Sequence, residues 1–155
     1  MPQNLITMQM KPIRVEDTDV LLRMMQAMQH DDPWSVPFDL TIARPAVETL
    51  LHNPGYGLAW FVEEDGRMIG YIILSFDYSL EHGGRNAWVD EFFIEPAWRG
   101  KGIGAQVLAF FENAAREAGA TAVHLEVNEG NRAIELYRRR GFEEHHRFLM
   151  TKWLR

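Results

Sequence analysis

Residues 89–104 read VDEFFIEPAWRGKGIG: two adjacent carboxylates, a short apolar run, a proline, then a basic hexapeptide with glycine at every second position. The apolar run from Ala87 to Ile94 (AWVDEFFI) has strand character, and Pro96 ends it. Downstream, Ile103, Val107, Leu108, Phe111, Ala114, Ala115 and Ala118 recur at helical spacing, and Gly119 stands where a helix stops. The stretch is therefore a strand running through a glycine loop into a helix. Asp90 and Glu91 are neighbours in that strand, so alternation predicts that their side chains face opposite ways and that only one serves any single site.

Outward from this centre, TAVHLEV (121–127) continues as a strand, 132–140 as a short helix closed by Gly141, and FEEHHRFLMTKWL (142–154) as one or two final strands. Upstream, GLAWFVEED (57–65) and RMIGYIILSFDYSL (67–80) flank a turn and form a hairpin. Earlier still come a helix over 41–51 and a helix carrying Val20, Leu21, Met24, Met25 and Met28, with Asp17 or Thr18 as its cap. A strand over 10–15 opens the fold. The predicted order is β1-α1-α2-β2-β3-β4-α3-β5-α4-β6-β7: an α/β (α+β) chain on a mixed sheet, with antiparallel strands first and one crossover in the middle. One domain over 1–155 is expected, with 1–9 as a flexible extension.

Composition narrows the chemistry. With 46% hydrophobic and 25% charged residues the chain is globular, and with no cysteine it has neither disulfides nor a thiol nucleophile. A formal net charge of -6 disfavours nucleic acid and anionic membranes, and no run reaches the roughly 20 apolar residues of a membrane span. A cytoplasmic protein is expected, with a homodimer left open.

Three phosphate motifs compete for RGKGIG. A P-loop needs Ser or Thr after the lysine, but Gly102 follows Lys101. The dinucleotide fingerprint is matched by Gly100, Gly102 and Ala105, with Glu126 as a ribose-binding acid. Yet EPAWR separates it from its strand, and only about 30 residues remain after 121–127 for the rest of a dinucleotide sheet. The third reading is a pyrophosphate cradle at a helix N-terminus, built on Arg99, Gly102 and Gly104.

On Arg99-x-x-Gly102-x-Gly104, on EFFIEP before it and on VNEGNRAIELYRRRGF (127–142) after it, the chain resembles the GCN5-related N-acetyltransferase (GNAT) superfamily. Within it, DEFFIEPAWRGKGIG and LYRRRGF are similar to the diamine (spermidine/spermine) N-acetyltransferase group. The resemblance implies the GNAT acyl-CoA N-acyltransferase fold. It also implies acetyl-CoA as co-substrate, bound where two strands splay, and a small amine as acceptor. The backbone of Phe92, Phe93 and Ile94 would pair with pantetheine, and Arg99, Gly100, Lys101, Gly102, Ile103, Gly104 and Ala105 would hold the pyrophosphate. Tyr137 would be the general acid. The catalytic carboxylate falls on Asp90, one methylene shorter than the usual glutamate and so expected to act through water, with Glu91 as the candidate to bind a cationic substrate. The asparagine that touches pantetheine is offset, which leaves Asn128 and Asn131 as alternatives.

Transfer of acetyl from a thioester to an amine needs a neutral amine, a stabilised oxyanion and a proton for the departing thiolate. Direct attack in a ternary complex needs no protein nucleophile, in keeping with the absent cysteines. The other readings are an acetyltransferase for a protein N-terminus or lysine, and a non-catalytic coenzyme A-binding module. Asp31, Asp32, Glu81, Asp90 and Glu91 would make the acceptor side negative, with Trp34, Phe38 and Tyr78 as its wall, so a cationic small amine is favoured. His145 and His146 face apart in a strand and His124 stands alone, so no metal is expected; Arg138, Arg139 and Arg140 read as a solvated helix end.

Overall fold

Asp65 and Gly66, both at positive φ, make the two-residue turn that reverses the chain between β2 (Gly57–Glu64) and β3 (Arg67–Ser79). This hairpin is the middle of a five-stranded sheet ordered β1-β2-β3-β4-β5, with β1 at Met8–Pro12, β4 at Gly84–Ile94 and β5 at Ala122–Leu125. The first four strands pair antiparallel, and β5 joins β4 parallel after the crossover helix α3 (Ile103–Glu117). The computed structural model describes residues 8–33 and 36–154. The strand β1 starts inside the segment expected to be a flexible extension, since Met8 pairs with Glu64 and Gln9 with Glu63; residues 1–7 lie outside the described residues.

Alternation sends the sheet's side chains to two cores. Phe61, Tyr71, Ile73 and Phe93 meet Leu21, Leu22 and Met25 of α1 (Thr18–Asp31) and Ala43 and Val47 of α2 (Leu40–His52). On the other face Val62, Ile72, Leu74 and Val89 meet Val107, Leu108 and Phe111 of α3, with Leu136 of α4 (Ala133–Arg139) at the edge. Asp17 stands at the N-cap of α1 as expected, but its carboxylate accepts from the backbone N–H of Arg14 instead of from the helix. Gly119 ends α3 at positive φ, as its position in the sequence implies.

The expected sixth and seventh strands are not formed: residues 142–154 carry no regular secondary structure. Side chains hold this segment in place of a ladder, through Arg138 to Glu144 at 2.8 Å and Arg147 to Glu81 at 2.6 Å. Phe148, Met150 and Leu154 are consequently exposed. Among the described residues no helix is long and apolar enough to cross a membrane, and no three His, Asp or Glu side chains group as metal ligands.

Two irregularities position the site. Ile73 pairs with Glu91 and Leu74 with Val89, so Asp90 is an extra residue without a partner on β3, a β-bulge. The β4–β5 ladder also ends at Val89 and Leu125, so β4 runs on to Ile94 without β5 beside it. Beyond the bulge, β3 and β4 are held close at Gly70, opposite Ile94, where an added Cβ would stand 2.2 Å from the carbonyl oxygen of Phe93. Gly70→Ala is expected to destabilise the fold by about 1–3 kcal/mol, read as a lower urea midpoint at unchanged m.

Candidate active site

The bulge overturns the expectation that Asp90 and Glu91 face apart. Ala87 and Val89 point to the α3 face, and so do Phe92 and Ile94, whereas Phe93 points to the α1–α2 face. The phase slips by one residue at Asp90, and both carboxylates line one cavity on the α1–α2 side. Its volume is about 1060 Å³, and apolar side chains of α1, α2 and the segment before α2 make its wall.

The two acids are not equivalent. Glu91 is buried, at 8% exposure, facing the Tyr71 hydroxyl at 3.4 Å, which also lies 3.5 Å from Met28 Sδ. Burial first, then the neighbouring Asp90 charge, push the Glu91 carboxyl up to about 8, with the Tyr71 hydrogen bond opposing. Burial also pushes Asp90 upward against a hydrogen bond from Ser75, but Asp90 keeps solvent contact, which screens it and leaves it the better seat for a negative charge. Tyr71 and Ser75 were not singled out from sequence: both sit in an apolar strand with nothing to mark them until the register across β3 and β4 is known.

The glycine loop opens α3 as predicted, but its glycines divide the work. Gly100 and Gly102 hold φ of 74° and 79°, and an added Cβ at either would meet nothing within 4 Å. Gly104 instead leaves room for Leu136, whose Cδ2 would lie 2.9 Å from a Cβ there, so it serves the α3–α4 contact. No side chain caps α3. Its first amides, at Ile103, Gly104 and Ala105, are of the kind that receives an anion. Lys101 lies over the Trp98 ring at 4.7 Å. Arg99 is anchored by Nε to the carbonyl of Ile94 at 2.8 Å and reaches Asp31 at the end of α1 at 2.6 Å.

Across the splay, Asn128 donates to Asp32, whereas Asn131 accepts from the Ala133 N–H at 2.9 Å and caps the turn into α4. Tyr137 packs edge-on to Phe142, and burial, then the Asp32 charge, push its hydroxyl up to about 12, so it is protonated at any physiological pH. Arg138 pairs with Glu135 and Glu144, and Arg140 grips Glu112 through both carboxylate oxygens. Of the expected acceptor-side acids, Asp31, Asp32 and Glu81 are bound by Arg99, Asn128 and Arg147, so only Asp90 and Glu91 face the cavity. Phe38 lines it, Tyr78 stays exposed elsewhere, and Trp34 lies outside the described residues. Trp153, which sequence reading left in a final strand, joins the wall.

A mixed sheet that parts at a bulge, with an uncapped glycine-loop helix on one face and a carboxylate-floored cavity on the other, defines an acyl-transfer fold. The acetyltransferase (GNAT) family model matches residues 21–142, and the chain belongs to that family: it is an acetyl-CoA-dependent N-acetyltransferase. It is 36% identical over 110 residues to the aminoalkylphosphonate N-acetyltransferase of Salmonella typhimurium, covering 70% of this chain and 69% of that one. The spermine/spermidine N(1)-acetyltransferase of Bacillus subtilis is 30% identical over 83 residues, covering 51% of this chain and 55% of that one. Among solved structures, an integron cassette protein from the mobile metagenome of Cole Harbour Salt Marsh superposes with a TM-score of 0.81 at 32% identity, covering 95% and 91% of the two chains.

The buried acid makes a stability prediction. Because its folded value lies above the ordinary 4.5, Glu91 favours the folded state at low pH and that advantage is lost as pH rises from 4.5 to about 8. The melting temperature of the native chain should therefore fall relative to that of Glu91→Gln across this window, and run parallel to it above.

Proposed function

We propose that the chain acetylates the primary amine of a small cationic acceptor by direct attack within a ternary complex. The observation that carries this is the bulge at Asp90, which turns two carboxylates onto the floor of one cavity at the point where β4 and β5 part. Acetyl-CoA supplies the activated acyl group. The chain fits it at two places: open space above Gly100 and Gly102 before the uncapped amides of α3, and the length of β4 at Phe92, Phe93 and Ile94 without β5 beside it.

The residues then divide the chemistry. Asp90, the more solvent-exposed of the two acids, attracts the ammonium of the acceptor. Glu91, poised near pH 8, takes the proton that leaves the ammonium, directly or through one water, so that a neutral amine attacks. The Tyr137 hydroxyl, protonated, gives its proton to the sulfur as the thioester bond breaks, and is reprotonated through solvent by the proton the acetylated nitrogen sheds as the amide forms. Arg99 exchanges its half-exposed partner Asp31, a pairing worth under about 1 kcal/mol, for the doubly charged pyrophosphate. Lys101 assists from its place over Trp98. Of the two asparagines, Asn128 is our choice for the pantetheine contact: its amide reaches across the splay to Asp32, whereas the side-chain carbonyl oxygen of Asn131 is taken by the Ala133 N–H.

Tyr137→Phe should lower kcat by about 10²–10⁴ while acetyl-CoA affinity, read by calorimetry, is retained. The chain's kcat/KM should rise with pH through about 8, and that limb should vanish in Glu91→Gln.

A further inference from the structure

The cavity that receives the acceptor has a composition of its own. Besides Asp90 and Glu91 its only charged lining residue is Asp39, and among the described residues no Lys, Arg or His lines it. Asp39 is committed to the start of α2, where one carboxylate oxygen accepts from the Thr41 N–H at 2.8 Å and the Thr41 hydroxyl at 2.7 Å. Apart from the Gln26 amide, the remaining described surface is aliphatic and aromatic: Met25, Phe38, Leu40, Val47 and Leu50 from one side, Trp153 from the C-terminal segment on the other.

From this we infer that the acceptor is a monoamine with an apolar body, an alkyl- or arylalkylamine, whose ammonium sits on Asp90 and Glu91 while its hydrocarbon fills the wall. The inference rests on the acetyltransferase reading and narrows it. A phosphonate or carboxylate on the acceptor would enter a site whose described lining carries three acids and no cation, and each buried unpaired anion costs several kcal/mol. The Salmonella relative's named substrate class, an aminoalkylphosphonate, is thereby disfavoured in this chain. A diamine fares little better, because its second ammonium would lose water against apolar side chains, with the one other lining acid already holding Thr41. An alkyl body gains at every methylene it buries, about fourfold in affinity each. The volume of about 1060 Å³ admits a body larger than the two or three carbons of the smallest amines.

Trp153 is the specificity-determining residue in this assignment. It is half-exposed, at 53%, on a segment without ladder bonds, and so has apolar surface left to bury against a ligand.

The test is a thiol-release assay with acetyl-CoA on matched acceptors: butylamine, hexylamine, phenethylamine, 1,6-diaminohexane and 2-aminoethylphosphonate. Calorimetric binding of the same amines to the chain saturated with coenzyme A runs beside it. Hexylamine should exceed butylamine at least fourfold and 1,6-diaminohexane at least tenfold in kcat/KM, with the same order in Kd, and the phosphonate should come last. Trp153→Ala should raise KM for hexylamine about tenfold with kcat and acetyl-CoA affinity retained. A diamine or phosphonate preferred over hexylamine, or a Trp153→Ala variant with unaltered KM, overturns the inference and leaves the acetyltransferase reading standing. Amine binding in the predicted order without any thiol release contradicts the catalytic reading but supports the cavity assignment. Absence of binding by every apolar amine overturns the assignment itself.

Discussion

One extra residue in one strand governs the chemistry of this protein. Without a bulge at Asp90, strand alternation would put one carboxylate under α3 and the other under α1 and α2. With it, Glu91 and Asp90 share a floor, and burial together with the Asp90 charge raises the cost of ionising Glu91. A buried acid held near pH 8 is a standing cost to the fold, and such a cost is retained where a proton must be moved near neutral pH. Tyr71 limits that cost by facing Glu91 with its hydroxyl, which is why a wholly buried tyrosine sits in an otherwise apolar strand.

The same strand links the two halves of the site. Up to Val89 it is zipped to β5; beyond, it is free on that side and leads through Pro96 into the loop that opens α3. The proposed donor path and acceptor cavity therefore meet at one point of one strand. At the end of α1, Asp31 holds Arg99 and Asp32 holds Asn128, so acids that looked like acceptor-binding groups instead engage residues proposed to bind the donor. Net negative charge in the sequence was a poor guide to which acids line the cavity, because Asp31, Asp32 and Glu81 are engaged by Arg99, Asn128 and Arg147.

Much of this was legible beforehand. The helical phase of Ile103 to Ala115, the hairpin around Asp65-Gly66 and the loop at Arg99 to Gly104 are local patterns that tertiary context left intact. The bulge left a trace that was not used: the apolar positions run Ala87, Val89 and then Phe92, Ile94, a slip of one residue across the two acids. Phe93 masked it by making the run apolar on both faces. The C-terminal strands were overpredicted because alternation in 142–154 satisfies the strand pattern, whereas a strand also needs a neighbour to accept its hydrogen bonds. Trp153 and the helix α2 wall could not be joined to Asp90 from sequence, since contacts between residues so far apart along the chain are set by packing alone.

The central claim is that the bulge turns both carboxylates into one cavity and holds Glu91 near pH 8. It is tested most directly by following the carboxyl carbons of Asp90 and Glu91 by ¹³C NMR, as pH is varied and as an amine is added to the chain saturated with coenzyme A. The account predicts that Glu91 titrates near 8, with both signals moving when the amine binds. A Glu91 that titrates near 4.5, or an amine that moves only one of the two signals, would contradict it.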